Sequence, residues 1–477
     1  MTVEKKPPAT SKYRALHIGM CVRKFAHTEG KSQVLIGLLH ALGKLDEGSE
    51  RYTIVVESPE MREWLEPYCA VNQEIVVHRQ LGKRSGMYHA GLAVGGTAVG
   101  KTLLAPLRPM IRYVQHMLSV PRMWPEIPVS DGVVEQLGCD VVHFPQQWYM
   151  LTNVPSLYNP HDLQHLMYPQ YISQFDLIHR ETLTAAGCRF AHSVVAGTQW
   201  VKDDIVRRYG IDSGKIRVIP WASPTEFYKE PRVEDIAVVR EKYQIETPCA
   251  IYPANSWGHK NHLRLLDAVG HLRDMHGLVV RVVCTGGRVE PFWSEIKARV
   301  NELRLGTQVK FLGTVSDAEL RALYRLAQFL ILPTLYEADS NPIHEAWFEG
   351  VPVASSNVTA LPDQVADAGL LFDPRNVVAI ADAMAKLSVD ERLRDELRIR
   401  GRRRAGEFSW ERTAKAYRAV YRQIGDVPLC DEDRWLLEWD WMREPWKARN
   451  EGDAAGSGQD VASSWRREVR GVCTGGE

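Results

Sequence analysis

Two glutamates, Glu337 and Glu345, stand with seven residues between them in the stretch from Leu332 to Glu345. The apolar run Phe329 to Leu332 predicts a buried strand, and a polar loop follows it. A helix should then begin, with Asn341 able to cap it, Pro342 suited to its first position and Gly350 ending it. Glu337 falls in the loop and Glu345 about one turn into the helix. Two carboxylates would then flank a helix N-terminus, whose N–H groups favour an anion. A nucleotide sugar presents both complements: a diphosphate for the helix end, and sugar and ribose hydroxyls for carboxylate acceptors.

Further polar residues follow other apolar runs. Lys260 lies in Ile251-Tyr-Pro-Ala-Asn-Ser-Trp-Gly-His-Lys260-Asn-His262, after a candidate strand. His161 and Asp162 lie in Asn159-Pro-His-Asp-Leu-Gln-His165, after the run Ser156–Tyr158. A histidine at a strand end can donate a hydrogen bond to a sugar hydroxyl or to the carbonyl of a neighbouring loop. Asp162 could orient the loop or touch substrate. Gly95-Gly-Thr-Ala-Val-Gly-Lys101-Thr102 matches a phosphate-loop string. No β-branched strand precedes it and no partner strand follows at suitable spacing, so it is expected to be a chance match.

These residues need elements to hold them. Candidate strands are Ala15–Gly19, Tyr52–Val56, Glu74–His78, Asp140–Phe144, Ser156–Tyr158 and Ser193–Ala196, with helical patterns such as Ser32–Leu45 and Gln199–Tyr209 between them. A second round runs through Ala250–Tyr252, Val279–Cys284, Val309–Leu312, Phe329–Leu332, Pro352–Ala354 and Gly369–Phe372. Short apolar runs alternating with helices predict parallel sheets covered on both faces, hence an α/β chain of two Rossmann-like domains. Expected bounds are 1–222 and 223–407, with the join near Pro220–Pro231. Ligands of such sheets bind beyond the carboxyl ends of the strands, here in a central cleft. The segment 408–449 follows, with aromatics at Phe408, Trp410, Tyr417 and Tyr421 and four tryptophans from Trp435 to Trp446. The stretch 450–477, rich in Gly, Ser and charge, is expected to be disordered.

At 477 residues the chain suits two domains plus extras. Lys plus Arg and Asp plus Glu both number 59, which argues against a global attraction to nucleic acid or membrane. No run of 18 apolar residues occurs, and Met1–Ser11 lacks the apolar core of a secretory signal; the expected location is cytoplasmic. The eight cysteines form no Cys-x-x-Cys pair and predict reduced, mostly buried thiols. Residues 101–120 carry an amphipathic pattern with Arg108, Arg112 and His116 away from the apolar stripe. Packing on the first sheet is the favoured expectation; weak peripheral contact with a membrane surface is the sharper one.

The glutamate pair followed by Gly350-Val-Pro-Val353, Ser356-Asn357 and Leu361-Pro362 resembles the donor site of family 4 retaining glycosyltransferases, of GT-B fold. The resemblance spans roughly residues 14 to 425. It implies two facing Rossmann-like domains, with the last helix crossing back to the first. It implies transfer of a sugar from a nucleotide-sugar donor to a saccharide or lipid-linked acceptor, without nucleic acid, cofactor or dedicated metal. Lys260 would reach the donor diphosphate and stabilise the leaving group. His161 would lie beside the donor sugar, Glu337 would bind sugar hydroxyls and Glu345 the ribose. Amides around Asp339, Ser340, Asn341 and Ile343 would face the phosphates, and Gly30 would let the backbone approach them. Many members carry arginine where Asn255 stands and two glycines where only Gly30 stands. Arg288, after Gly286-Gly287, is a candidate replacement. The Pro-His-Lys-Asn-His branch lacks the arginine too and includes mannosyltransferases, which tilts the donor toward GDP-mannose over a UDP-sugar. The rival classes are a non-catalytic nucleotide-binding or scaffold protein on this fold and, more distantly, an ATP-dependent enzyme using Gly95–Thr102.

Overall fold

The computed structural model describes residues 15–23, 30–45, 48–79, 81 and 126–439. The phosphate-loop-like string, the 101–120 stretch, Trp441, Trp446 and the tail from 450 lie outside these residues.

Two parallel sheets organise the described chain. The first contains β1 (His17–Val22), β2 (Arg51–Val56), β3 (Gln73–Val77), β4 (Val141–Phe144), β5 (Ser156–Tyr158), β6 (Ser193–Ala196) and β7 (Ile216–Val218), in the order β3-β2-β1-β4-β5-β6-β7. The second contains β8 (Ala250–Pro253), β9 (Val282–Thr285), β10 (Val309–Phe311), β11 (Phe329–Leu332), β12 (Val353–Ser356) and β13 (Leu370–Phe372), in the order β10-β9-β8-β11-β12-β13. Every pairing is parallel. The central strands β1, β4, β9 and β11 are buried along their whole length, because helices cover both faces. That is why they read as continuous apolar runs. Strand β7 was not expected: Ile216-Arg217-Val218 is an edge strand with only its first residue buried, so its apolar signal is short. Strand β1 starts two residues later than expected and runs on to Val22.

The crossover helix, Trp410–Ile424, returns to the first sheet's layer and packs on the helix Gly30–Gly43. Its opening turn is tied to the segment joining the two sheets: Trp410 Nε1 donates to the Ser223 carbonyl (2.9 Å) and Thr413 Oγ1 to the Pro220 carbonyl (2.7 Å). Gly37 permits the close approach, since a Cβ there would lie 2.2 Å from the Trp410 ring. Among the described residues no helix is long and apolar enough to cross a membrane.

Candidate active site

The loops after β5, β8, β9, β11 and β12 all leave carboxyl ends of strands, and they carry most of the expected site residues. The loop after β8 is built around Lys260. Asn261 takes a left-handed conformation (φ 61°), which Asn tolerates better than most residues. Its Nδ2 bonds the carbonyls of Pro333 and Pro374, both at 2.8 Å, fastening the loop to its neighbours. Tyr252 Oη donates to the Lys260 carbonyl. With its backbone so fixed, Lys260 places Nζ 2.5 Å from Glu337 Oε1.

Glu337 is held as firmly. Its N–H donates to Thr359 Oγ1 (3.1 Å), and Thr359 Oγ1 donates to the Glu337 carbonyl (2.6 Å). Burial pushes its carboxyl above the ordinary range, and the Lys260 charge opposes that rise. Flanking groups are gripped from the first sheet's side: the Tyr168 hydroxyl donates to the Leu335 carbonyl (3.1 Å), the Leu163 N–H to Tyr336 Oη (3.3 Å) and Thr198 Oγ1 to the Ala338 carbonyl (2.9 Å).

The following helix, Asn341–Phe348, corrects the expected cap. Ser340 is the N-cap by its extended backbone, Asn341 is the first helical residue and Pro342 the second. Gly350 ends the helix at φ 73° as expected. The first-turn amides are also less open than expected. The Ser340 N–H donates to Gln364 Oε1 (3.0 Å), and the Ile343 N–H reaches the Ser340 carbonyl (3.1 Å). The Ser340 hydroxyl is buried without a partner. Asp339 does not face outward: its buried carboxylate pairs with buried His344 (3.1 Å). Asn341 Oδ1 instead accepts from Trp221 Nε1 (3.0 Å). Glu345 accepts from the Tyr324 hydroxyl (2.7 Å), and both side chains are buried. Burial raises the Glu345 carboxyl to about 7; the Tyr324 hydrogen bond lowers it and Asp317 adds to the rise.

Arg288 is committed elsewhere. Its guanidinium lies over the Trp293 ring, 4.7 Å from the centroid, where the ring's negative face attracts it. Asn255 braces rather than replaces charge: its Oδ1 accepts from the Gly287 N–H (2.6 Å). Gly286 must be glycine, since at φ 122° a Cβ would meet the Ala254 carbonyl at 2.5 Å. Gly30 is the first residue of its helix.

His161 lies midway along the loop between β5 and the helical turn Gln164–Met167, with φ 60°. Its Nε2–H donates to the Pro145 carbonyl (2.8 Å), the second of the two partners the sequence allows. Asp162 orients the loop: its Oδ1 accepts from the Gln164 N–H (2.9 Å) and from Gln147 Nε2 (3.1 Å). The Trp221 ring stands edge-on to His161 with centroids 6.2 Å apart. Trp221 thus bridges His161 and Asn341.

His259, beside Lys260, is a further residue of the site. Its Nδ1 accepts from Gln164 Nε2 (2.6 Å), while its carbonyl accepts from the Leu335 N–H (2.7 Å) and Thr334 Oγ1 (3.2 Å). Burial and the adjacent Lys260 hold the ring well below its ordinary pKa, so the neutral form is the one that can accept. The Lys260 loop, the Glu337 loop and the first sheet meet at this residue. The sequence signal for both Trp221 and His259 is weak: His259 is the neighbour of Lys260, and Trp221 follows Pro220 at the expected join.

The family described as "Glycosyl transferases group 1" matches residues 248–390, and "Glycosyltransferase Family 4" matches residues 100–227. The chain is similar to the O-antigen chain mannosyltransferase B of Escherichia coli, 28% identical across 54% of this chain and 69% of that protein. It is similar to an MMP alpha-(1->4)-mannosyltransferase of Mycolicibacterium hassiacum, 31% identical across 48% of this chain and 53% of the relative. A D-inositol 3-phosphate glycosyltransferase of Corynebacterium jeikeium is 27% identical across 49% and 58%. The chain spans little more than half the length of the last two. Among solved structures, a glycosyltransferase of Rickettsia africae superposes at TM-score 0.60 with 16% identity, over 86% of this chain and 99% of that one. Anabaena Alr3699/HepE, solved with UDP and glucose, also gives 0.60 at 16% identity, over 86% and 100%. The fold is GT-B.

Proposed function

We propose that this GT-B glycosyltransferase moves a hexose, with retention, from a nucleotide sugar to a saccharide or lipid-linked acceptor. The observation that carries the proposal is the Lys260–Glu337 pair, set between β8 and β11 beside the start of the Asn341–Phe348 helix. A fixed cation and a fixed carboxylate at one point suit the two ends of the bond that breaks, phosphate and sugar.

In this reading Lys260 turns its charge to the donor diphosphate and Glu337 accepts from sugar hydroxyls. Glu345 receives the ribose hydroxyls, and His161 borders the sugar from the opposite sheet. An acceptor hydroxyl attacks the anomeric carbon as its bond to the phosphate oxygen breaks. The acceptor's proton passes to a leaving phosphate oxygen, so charge balances without a resident metal. GDP-mannose is the favoured donor, supported by two relatives whose names are mannosyltransferases; a UDP-sugar is the alternative. The acceptor would belong to polysaccharide biosynthesis. The protein would act in the cytoplasm, with any membrane contact made through 101–120.

The test is a thermal-shift panel of GDP, UDP and ATP followed by hydrolysis of a set of nucleotide sugars. GDP or UDP stabilisation with release of one sugar supports the reading. ATP stabilisation alone, or none by any nucleotide, overturns it.

A further inference from the structure

The crossover helix reaches the first sheet through a buried hydrogen-bond chain that the transfer chemistry does not use. Tyr421 Oη lies 2.9 Å from His143 Nδ1, and His143 Nε2 lies 2.8 Å from Asn159 Oδ1. Asn159 Nδ2 in turn donates to the Tyr417 hydroxyl. All four residues are almost wholly buried. Burial is the main cause that drives the His143 pKa down to about 3, so the ring is neutral and has one N–H. An amide oxygen only accepts, so that proton sits on Nε2. Nδ1 is then the acceptor, and Tyr421 must donate to it. The direction of the chain is fixed: Tyr421 to His143 to Asn159 to Tyr417.

Asn159 is two residues before His161. Its N–H bonds the Phe144 carbonyl (2.9 Å), and His161 bonds the next carbonyl, Pro145 (2.8 Å). The end of β4 and the Asn159–His161 turn are therefore laced at three successive positions, His143, Phe144 and Pro145. His161 holds a left-handed φ of 60° that a non-glycine residue keeps only when its surroundings impose it. Two groups from the second half of the chain enter that lacing, the Tyr417 and Tyr421 hydroxyls.

We infer that Tyr417 and Tyr421 are positioning residues for His161, acting through His143 and Asn159, so that the crossover helix sets the geometry of the reaction centre. This rests on the reading that His161 borders the donor sugar. A hydroxyl deleted at either tyrosine removes no group from the cleft. Loss at Tyr417 leaves the Asn159 amide held through its oxygen alone, loss at Tyr421 leaves His143 Nδ1 without its donor, and either lets the turn shift. A displacement of about 1 Å near reacting atoms is enough to slow transfer strongly.

The test uses the full chain with ¹⁵N-labelled histidine, the His161 side-chain signals being assigned by their loss in His161→Gln. Tyr421→Phe and Asn159→Ala should each displace those signals. Each should lower kcat for GDP-mannose turnover about tenfold while leaving GDP affinity unchanged. Tyr243→Phe, which removes a hydroxyl bonded to Glu319 in the other sheet's layer, should change neither. If Tyr421→Phe fails to fold, Tyr417→Phe carries the test, because it leaves the His143 bonds in place. Unmoved His161 signals in the folded variants overturn the inference. Moved signals with unchanged turnover uphold the positioning and instead sink the role given to His161.

Discussion

Lys260 Nζ sits 2.5 Å from Glu337 Oε1, so the cation expected at the donor phosphate and the carboxylate expected at the donor sugar neutralise one another. The Lys260 charge is the main counterweight to the burial that raises the Glu337 carboxyl. Lys260→Ala should therefore do two things. Binding of GDP or UDP should weaken by about 1.5–3 kcal/mol, the range for a charge-assisted hydrogen bond. Glu337, whose carboxyl burial already raises, should rise further without its counter-ion, moving the acidic limb of the kcat/KM profile to higher pH. Calorimetry with unchanged nucleotide affinity would place the diphosphate away from Lys260.

Glu337→Gln should remove most transfer, by about 100-fold or more, and leave the fold intact. The backbone of position 337 is pinned by Thr359, and its neighbours by Tyr168, Leu163 and Thr198, so the loop has no need of the carboxylate to keep its course. A variant with near wild-type turnover and wild-type circular dichroism would defeat the assignment.

What could be read from the chain follows the range of the interactions. Strands such as Phe329–Leu332 declare themselves because burial on both faces demands an unbroken apolar run. That Lys260 and Glu337 serve one donor was implied by the family resemblance alone; their contact follows from β8 and β11 being adjacent in their sheet, an order the chain does not announce. Commitments of side chains were not legible. Nothing local in Asn341 announces that its acceptor will meet Trp221, 120 residues away, and nothing in Gly-Arg288-Val shows that Trp293 will draw the guanidinium. The expected cap at Asn341 failed by one residue because Gln364, remote in sequence, holds both backbone groups of Ser340. Tyr417 and Tyr421 were visible as an aromatic stripe, but their hydroxyl partners depend on how the crossover helix returns.

Gly37→Ala should destabilise the protein by about 1–3 kcal/mol, the cost of overpacking a filled contact. The new Cβ would fall 2.2 Å from the Trp410 ring, which is itself held by the Ser223 carbonyl and has little room to withdraw. Equilibrium unfolding in urea measures the loss. A pairing with Trp410→Leu should recover part of it, whereas an equal loss in both backgrounds would mean that the helices do not meet there.

Glu345 supplies the last prediction, a dependence on pH with a definite sign. Its buried carboxyl has a pKa of about 7 in the folded protein against an ordinary 4.5. The folded state therefore holds this proton more tightly than the unfolded chain does. The associated stability is fully present below pH 4.5 and is lost as pH rises through about 7, on the order of 3 kcal/mol in all. Glu345→Gln keeps an oxygen to accept from the Tyr324 hydroxyl and cannot ionise, so it should flatten this part of the stability profile between about pH 5 and 8. The same proton bears on the donor. If ribose hydroxyls bond the ionised carboxylate, nucleotide binding must pull the pKa down and expel the proton. Near pH 7, GDP binding measured by calorimetry in two buffers of different ionisation enthalpy should show net proton release. The Glu345→Gln variant should release less. Equal release by both proteins would separate Glu345 from the ribose and leave it as a structural partner of Tyr324.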